Sequence, residues 1–382
     1  MNNRPAKVII LTLPLGNNYG GLMQAYALQR VVSELGYEVV TDRYACRNKT
    51  WKELLLGVFL PAKNKLLEML GNRVSVSDNN ILRNKYLQNF INENIRSVDF
   101  FRNHSRPIKN DVDKYDVFLV GSDQVWRKKY VNVQSYLLSF LNHNLEKVFL
   151  SYAASFGCDN IDDWTKADKK VAKRMLPQFA AISVREKSGI DILKKQFGIQ
   201  STCVLDPTML LKRDDYLNLD GINKIEKRKK MLYCYILDFT EEKEAMINFI
   251  REKRGLNNIL FISPKIDKFK KNLPSDYTYP SIAEWLSGFR DADYVFTDSF
   301  HGSVFSLLFG KQFVCFVNKT RGATRIESLF EMFNITDRLI SSVHEYEEVS
   351  SSNIDYETVY SILEEKRKMS LDFLKIALLN YK

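Results

Sequence analysis

The sequence has few of the residues that hold metal ions or form disulfide frameworks. Its histidines stand at four scattered positions: His104, His143, His301 and His344. Its cysteines are equally scattered and form no CxxC pair: Cys46, Cys158, Cys203, Cys234 and Cys315. Zinc sites need His and Cys at short, paired spacings, and neither type is paired here. We therefore expect reduced thiols that pack as small apolar side chains, no bound metal and no cofactor.

Long apolar runs are also lacking. The densest run covers residues 54–60 (LLLGVFL), far short of the roughly 18 apolar residues that a membrane-spanning helix needs. Residues 1–7 lead directly into the apolar run 8–13, without the small-residue cleavage site of a secretory leader. These features predict a cytoplasmic protein that has no membrane-spanning helix.

Acidic residues are outnumbered, and the net charge at pH 7 is +10. Nucleic-acid-binding proteins share such an excess of Lys and Arg. However, the aromatic residues lie mostly inside apolar runs, and no helix-turn-helix, RNP or zinc-finger pattern is present. An anionic small molecule or an anionic membrane surface explains the charge equally well. We expect an anionic substrate and no nucleic-acid partner.

The length and the pattern of the chain predict two domains. Its 382 residues exceed the size of one core, because single cores stop growing at roughly 250 to 300 residues. Short β-branched runs alternate with helical patterns, which indicates parallel sheets with crossover helices. We predict an α/β fold of two Rossmann-like domains, residues 1–215 and 216–345, that face each other across a cleft. A basic helical insertion is expected near 51–110, and residues 346–382 are expected to be helical and to pack back on the first domain.

Residues 16–21 (GNNYGG) join the first predicted strand to the first helix, where open parallel sheets bind ligands. Gly20 and Gly21 allow close backbone approach, and the helix start behind them offers N–H groups to an anion. We expect Asn17, Tyr19 and Gln24 to contact a sugar. The alternative is a plain tight turn, and the spacing differs from that of a dinucleotide-binding loop.

Residues 121–126 (GSDQVW) end another predicted strand at the same edge of the sheet. We expect Ser122, Asp123 and Gln124 to orient sugar hydroxyls there, with Trp126 as a stacking platform. The alternative is an Asx-type helix cap beside a tryptophan that belongs to the core.

Three further strand ends carry candidate residues. Residues 151–157 (SYAASFG) combine small side chains with Ser155 and leave room for a substrate, although tight packing of strand on helix explains them as well. Arg185 ends the next strand, and its planar guanidinium suits a carboxylate or a phosphate; a structural ion pair is the rival. Asp206 ends a third strand just before a proline, and we interpret it mainly as a turn residue, with a position facing the cleft as the alternative.

The strongest local signal is residues 297–302 (TDSFHG), where a strand ends, a polar turn follows and an apolar helix begins. His301 falls in the first turn of that helix, a position that favours anions. A phosphate bound there would let His301 act as a general acid or as a cationic partner. We expect Ser299 and Gly302 to contact the same anion. A lone structural histidine is the alternative.

Six motifs in this order resemble the polysaccharide pyruvyl transferase family. The resemblance runs from residue 8 to about residue 333 and rests on GNNYGGLMQA at 16–25, VGSDQVW at 120–126, SYAASFG at 151–157, SVRE at 183–186, VLDPT at 204–208 and TDSFHG at 297–302. It implies a GT-B-like pair of Rossmann-type domains. It also implies transfer of the pyruvyl group of phosphoenolpyruvate to two hydroxyls of a sugar, which forms a cyclic ketal in surface polysaccharide biosynthesis.

By the same resemblance, His301 is the catalytic histidine and Arg185 helps to bind phosphoenolpyruvate. Members of the family often carry an arginine two residues before that histidine, where this chain has Ser299. We therefore predict that Arg321 and Arg325, in the basic stretch after the last strand, complete the anion contacts; a solvated basic face is the alternative. Asp123 is the candidate for orienting a sugar hydroxyl, so the reaction needs no metal.

Two alternatives to a pyruvyl transferase stay open at this point. The fold suits a GT-B glycosyltransferase that uses a nucleotide sugar, since a fold alone does not name the donor. The chain is otherwise a non-catalytic sugar-binding relative. An apolar stripe at Trp51, Leu54, Leu55, Val58 and Phe59 beside lysines suits peripheral contact with the inner membrane face and a lipid-linked acceptor, with a core-facing helix as the alternative. The sequence predicts no oligomeric state.

Overall fold

A computed structural model describes residues 5–46, 83–102, 107–141, 146–270, 273–274, 276–317, 324–349 and 351–379. The apolar stripe at Trp51 to Phe59, most of the predicted insertion and Arg321 lie outside these residues. Within them the chain forms two domains, one built on a seven-stranded sheet and one on a five-stranded sheet. Every strand pair is parallel, and both sheets are linked by crossover helices, which confirms the predicted α/β fold class.

The first sheet has the strand order β3-β2-β1-β4-β5-β6-β7. Its strands are β1 (Lys7–Leu11), β2 (Glu38–Asp42), β3 (Ser97–Val98), β4 (Val117–Val120), β5 (Val148–Ala154), β6 (Ala181–Val184) and β7 (Thr202–Cys203). Strands β4 and β1 are continuous apolar runs because helices cover both faces of a parallel sheet. The short edge strand β3 lies inside the stretch that we expected to be helical, since two residues carry too little pattern to reveal a strand.

The helices of the first domain flank this sheet. They are α1 (Tyr19–Glu34), α2 (Lys85–Asn94), α3 (Lys109–Val112), α4 (Val133–Tyr136), α5 (Lys166–Met175), α6 (Lys187–Phe197) and α7 (Arg213–Leu217). Asn18 caps α1 through a hydrogen bond from the Gly21 N–H. Gly198 ends α6 in the left-handed conformation that glycine adopts without strain.

The second sheet has the order β12-β11-β10-β8-β9. Its strands are β8 (Met231–Tyr235), β9 (Asn258–Ile262), β10 (Tyr294–Thr297), β11 (Phe313–Phe316) and β12 (Leu339–Ile340). The described helices around it are α8 (Glu241–Arg254), α9 (Ile266–Phe269), α10 (Ile282–Asp291), α11 (Phe300–Leu308), α12 (Thr324–Met332) and α13 (Val343–Val349). None of the helices in the described ranges is long and apolar enough to cross a membrane.

Each sheet reverses its strand order at its first strand. In the first sheet β1 pairs with β2 on one side and with β4 on the other. In the second sheet β8 lies between β9 and β10 in the same way. Ligands of open parallel sheets bind in the crevice outside the carboxyl ends of strands at such a reversal. The fold therefore predicts a ligand site at the carboxyl ends of β1, β4, β8 and β10.

A continuous apolar core joins the two domains beside this crevice. Tyr19, at the start of α1, is completely buried and stacks on Trp285 of α10 with 5.7 Å between the ring centroids. Its hydroxyl donates to the carbonyl oxygen of Pro280 at 2.7 Å. The start of α1 is thus held against the second domain.

The last helix, α14 (Tyr356–Leu379), crosses from the second domain to the first. Near its start, the Tyr356 hydroxyl donates to the carbonyl oxygen of Ser306 at 3.3 Å. Further along, Arg367 Nε donates to the carbonyl oxygen of Met209 at 2.8 Å, and Ser370 Oγ accepts from the Leu205 N–H at 3.0 Å. The helix therefore ties both domains together behind the crevice.

Asp42, at the end of β2, makes the stability of the first domain depend on pH. The carboxyl group is buried, and its Oδ1 accepts from the Phe100 and Phe101 N–H groups. Burial raises the pKa of Asp42 from its ordinary value of 3.8 to about 7. Between these two pH values the unfolded chain has lost the proton that the folded chain retains, so stability falls as pH rises.

We therefore expect Asp42→Asn to match the parent protein near pH 4 and to gain relative stability toward pH 7, by about 1.4 kcal/mol per pH unit. Urea unfolding at several pH values measures the difference. Asp220→Asn, which removes an exposed carboxylate, serves as the control and should show no such trend. A constant difference between the Asp42 variant and the parent at all pH values would contradict the prediction.

Candidate active site

A cavity of about 270 Å³ lies between the domains at the carboxyl ends of both sheets. Leu13 and Asp123 line it from beyond β1 and β4, and Leu237 and Asp298 line it from beyond β8 and β10. The remaining lining residues are Asn18, Gln124, Tyr130, Lys265, Ser299, Phe300, His301, Arg325 and Ile326. Both strand-order reversals therefore open onto one cavity that is rich in charged groups.

His301 stands in the first turn of α11, which begins directly after β10. Ser299 caps this helix, because its Oγ accepts from the Gly302 N–H at 3.3 Å. A Cβ at Gly302 would lie 2.1 Å from Thr297 Oγ1, so only glycine allows the helix to start this close to the strand end. Ser299 and Gly302 were both predicted to contact the anionic substrate. In the structure they hold the turn that positions His301, which is only 6% exposed.

Gly20 of the first domain packs directly against the His301 ring. A Cβ at this position would lie 2.2 Å from both Cγ and Nδ1 of the imidazole. The neighbouring Gly21 N–H, predicted to contact an anion, instead donates to Asn18 Oδ1 at 3.2 Å and caps α1. The glycine-rich loop therefore contributes to the site because Gly20 allows the start of α1 to contact the ring of His301.

This contact predicts a strong effect of the smallest possible substitution. The methyl group of Gly20→Ala would displace the His301 ring or separate the domains, and displacement of a reacting group by about 1 Å costs up to about 100-fold in rate. We expect at least a tenfold loss of the pyruvyl transfer that the resemblance implies, with the circular dichroism spectrum unchanged. Activity within twofold of the parent protein would show that His301 does not depend on this contact.

Arg185 connects two buried carboxylates behind the cavity. Its Nη2 donates to Asp123 Oδ1 at 3.0 Å, and its Nη1 donates to Asp206 Oδ2 at 2.7 Å. The Arg185 side chain is only 1% exposed and the Asp206 side chain 0%. Asp206 Oδ2 in turn lies 3.6 Å from His301 Nε2, longer than a hydrogen bond. Arg185 therefore makes structural ion pairs, which were the alternative to its predicted role in binding phosphoenolpyruvate.

Both carboxylates stay ionised although they are buried. Burial by itself would raise the pKa of Asp123, but the charges of Arg185, His301 and Arg325 outweigh it and hold that pKa below its ordinary value. Burial likewise opposes ionisation of Asp206, and interactions with His301, Arg185 and Thr208 lower its pKa well below the usual range. Two fixed negative charges thus stand close to the imidazole.

Arg325, in the first turn of α12, lines the cavity with its charge only partly compensated. Its Nη1 lies 3.8 Å from Asp123 Oδ1, beyond hydrogen-bond distance, and its buried Nε has no hydrogen-bond partner among the described residues. Burial, followed by repulsion from Arg185, lowers the pKa of Arg325 to about 10. Because the guanidinium remains a cation at neutral pH, it is available to an anionic ligand.

Sequence reasoning undervalued one charged residue of this region and missed another. Asp206, interpreted mainly as a turn residue with a position at the cleft as the alternative, lies beside Arg185 and His301; its place after a strand-like run was the same signal that singled out Arg185. Lys265, in the loop after β9, also lines the cavity, and its Nζ lies 3.4 Å from Asp238 Oδ1. No motif marks Lys265, because only the tertiary fold brings that loop to the cavity.

Asp298 has a structural task that its motif did not reveal. Its Oδ1 accepts from the Leu237 N–H at 2.6 Å, and its Oδ2 accepts from Lys243 Nζ at 2.6 Å. Burial raises the pKa of this carboxyl group, and the Lys243 charge opposes that shift. Asp298 therefore ties the end of β10 to the loop after β8 and shapes the second-domain wall of the cavity.

Several predicted sugar contacts belong to the interior of the first domain. Ser122 Oγ donates to Gln24 Oε1 at 2.7 Å, and Gln24 Nε2 donates to Thr12 Oγ1 at 2.9 Å, all within fully buried side chains. Ser155 Oγ donates to Glu186 Oε1 at 2.9 Å. The hydrogen bonds of these side chains go to other buried groups of the first domain. They therefore brace the strand ends instead of facing the cavity.

The two predicted aromatic contacts are also buried. Trp126 is 1% exposed, its Nε1 donates to the Tyr136 carbonyl oxygen at 3.2 Å, and its ring packs on Phe156. The structure therefore supports the core alternative for Trp126, and no face is open for stacking a sugar. Tyr19 likewise lies in the interdomain core described above, because its ring has apolar partners on the second domain.

The two remaining predicted contacts lie near the cavity. Gln124 lines it, with Oε1 accepting from Arg127 Nη1 at 2.7 Å. Asn17 is exposed, and its Nδ2 donates to the Pro264 carbonyl oxygen at 3.0 Å, which joins the loop after β1 to the second domain.

In the described part of the chain, no three His, Cys, Asp or Glu side chains are arranged to hold a metal ion.

Two parallel α/β domains with a charged cavity between their strand ends are typical of transferases with GT-B architecture. A family profile described as polysaccharide pyruvyl transferase matches residues 18–320. The chain belongs to the polysaccharide pyruvyl transferase family and is a transferase. A comparison with curated protein sequences found no significant match.

Solved structures with similar folds include one bound to UDP-GlcNAc and one bound to UDP. UDP-GlcNAc 2-epimerase from Neisseria meningitidis, bound to UDP-GlcNAc, is 13% identical; the alignment covers 96% of this chain and 99% of that chain with a TM-score of 0.50. UDP-bound MnaA from S. aureus is 9% identical, with 95% and 91% covered and a TM-score of 0.48. At such identity the likeness concerns the fold alone, and the first structure supports the predicted GT-B-like arrangement.

Proposed function

We propose that this protein transfers the pyruvyl group of phosphoenolpyruvate to two hydroxyls of one sugar and so forms a cyclic ketal in the synthesis of a surface polysaccharide. The observation that carries the proposal is the pairing of His301 with a buried carboxylate beside a cavity that Arg325 and Lys265 also line. The family supplies the reaction class.

The reaction asks for one proton donor and one anion site. The enol carbon C3 of phosphoenolpyruvate takes a proton, and C2 becomes an oxocarbenium-like centre that the first sugar hydroxyl attacks. Phosphate then leaves with its bridging oxygen, and the second hydroxyl closes the ring. The two hydroxyl protons balance the one gained by C3 and the one carried away by hydrogen phosphate. No redox step and no external co-reactant are needed.

The residues around the cavity match these tasks. His301, 3.6 Å from the Asp206 carboxylate, is our candidate for the proton donor to C3. Arg325 and Lys265 are candidates for binding the carboxylate and the phosphate of the donor, and both line the cavity. Asp123 and Gln124, at the end of β4, are candidates for orienting a sugar hydroxyl. Arg185 would act indirectly, through the two carboxylates that it holds.

A substrate screen tests the proposal. The protein is incubated with phosphoenolpyruvate and with lipid-linked and nucleotide-linked sugars, and both phosphate release and product mass are measured. We expect acceptor-dependent phosphate release and a product heavier than the acceptor by one ketal-linked pyruvyl group. Binding of nucleoside diphosphates without phosphoenolpyruvate turnover would favour a glycosyltransferase. Binding of sugars without turnover of either donor would indicate a non-catalytic relative.

A further inference from the structure

The imidazole of His301 has one nitrogen turned toward the interior of the protein. Its Nε2 is buried and has no hydrogen-bond partner among the described residues. The nearest anion is Asp206 Oδ2, at 3.6 Å. A buried polar atom without a partner normally costs stability, which calls for a functional explanation.

Asp206 itself is held rigidly. Its Oδ1 accepts from the Thr208 N–H at 3.0 Å and from Thr208 Oγ1 at 2.6 Å. Its Oδ2 accepts from Arg185 Nη1 at 2.7 Å. Hydrogen bonds at both oxygens fix the plane of the carboxylate, so its orientation toward His301 does not depend on a bound substrate.

The surroundings of His301 leave the ring little freedom. Gly20 packs on the ring from α1, and Phe300 of α11 meets it edge-on with 5.2 Å between the ring centroids. The charged groups near it are Asp206, Asp123, Arg185 and Arg325, which belong to three different strand ends and to α12. Among these groups, Asp206 is the anion that faces a ring nitrogen.

We propose that Asp206 is the positioning residue of His301 in the transfer reaction proposed above: it orients the imidazole through Nε2 and stabilises its protonated form until the proton moves to C3 of the donor. Arg185 and Thr208 serve this purpose by holding Asp206. The proposal rests on the proposed function for its catalytic consequence, but the pairing itself is testable without turnover.

The proton balance of this step is simple. The imidazolium gives the proton on Nδ1, the nitrogen that does not face Asp206, to C3 while the electron pair of the C2–C3 double bond forms the new C–H bond. The neutral imidazole then takes the proton of the attacking sugar hydroxyl. Asp206 stays a carboxylate throughout, which agrees with the lowered pKa of that group. A carboxylate that orients a catalytic histidine without becoming protonated is known from other enzymes.

The test compares Asp206→Asn with the parent protein. Asparagine keeps the shape and an acceptor for Thr208 but removes the charge, and loss of an orienting partner costs about 10- to 100-fold in activity. We expect a fall in kcat of that size with little change in KM for phosphoenolpyruvate. We also expect the alkaline limb of the pH–rate profile to move to lower pH, because removal of the anion makes the imidazolium less stable. A merely structural role would not move this limb.

Two further variants make the result interpretable. Asp168→Asn removes another buried carboxylate, which accepts hydrogen bonds from Lys128 and Gln134 away from the cavity, and should leave kcat and the pH profile unchanged. Thr208→Val removes one of the bonds that hold Asp206 and should shift the pH profile in the same direction by less. If Asp206→Asn fails to fold, Thr208→Val carries the test.

An NMR titration separates the two hypotheses. The chain has four histidines, so labelled imidazole signals can be assigned with His301→Ala. We expect His301 to lose its proton at lower pH in Asp206→Asn than in the parent protein, whatever the substrate. An unchanged titration together with unchanged kcat would overturn the role of Asp206 while pyruvyl transfer stands. A shifted titration in a protein without pyruvyl transfer would retain the pairing and refute the proposed function.

Discussion

Replacement of His301 by alanine is expected to lower the rate of pyruvyl transfer about 100- to 10,000-fold. His301 is the histidine among the described residues that line the cavity, and its loss removes the proposed proton donor to C3. The fold should persist, because Ser299 and Thr297, not the imidazole, hold the start of α11. Initial rates of phosphate release with phosphoenolpyruvate and an acceptor give the measurement.

The chain offers a matched control for this variant. His344 lies in α13, its side chain is 81% exposed, and its nearest charged partner is Glu348 on the same helix. His344→Ala should therefore retain full activity and stability. Substantial transfer by His301→Ala, at more than a tenth of the parental rate, would remove His301 from the chemistry and would leave the cavity without its proposed acid.

Replacement of Arg325 by alanine is expected to reduce kcat/KM for phosphoenolpyruvate about 100- to 1,000-fold, the usual effect of removing one preorganised group that stabilises developing charge. The departing phosphate gains negative charge, and Arg325 lines the cavity with a guanidinium that the protein compensates only partly. Calorimetric titration with phosphoenolpyruvate and steady-state kinetics together separate binding from catalysis.

The same change should not destabilise the protein. The buried Nε of Arg325 has no hydrogen-bond partner in the described part of the chain, and burial and repulsion from Arg185 both disfavour its charge, so removal of this side chain relieves an electrostatic cost. We expect an unchanged or raised Tm, in contrast to Arg185→Ala, which leaves the carboxylates of Asp123 and Asp206 unpaired and should lower Tm. Unaltered donor binding in Arg325→Ala would assign the anion site to other cations, with Lys265→Ala as the next variant.

Arg185 and Arg325 show that a sequence motif can identify a residue of the site without identifying the role of that residue. Both were predicted to bind the anionic donor. Arg185 ends β6 between two other strand ends that each carry an aspartate, and it meets Asp123, which lies 62 positions away in the chain. Arg325 lies in the first turn of α12, and the neighbouring charge of Arg185 repels it. In the structure Arg185 bridges two buried carboxylates, whereas the charge of Arg325 is only partly compensated by Asp123.

The predicted sugar contacts carry the same lesson for polar residues at strand ends. Side chains that follow a parallel strand either face the crevice or pack in the interior of the domain. The same residue types occur in both places. Gln124 lines the cavity, whereas Ser122 and Trp126, only two residues to either side, are buried among partners from α1 and α4. Nothing local distinguishes them.

The sequence by itself determined the fold class, because the alternation of apolar strands and amphipathic helices is a local property that each segment carries independently of its neighbours. The order of six motifs likewise determined the family. Only the tertiary structure decided the partners of the charged groups, including the placement of Asp206 beside His301 and of Lys265 at the cavity. Those contacts join strand ends, loops and helices far apart in the chain, and the energy of a buried charge depends on what the fold brings within a few ångströms of it.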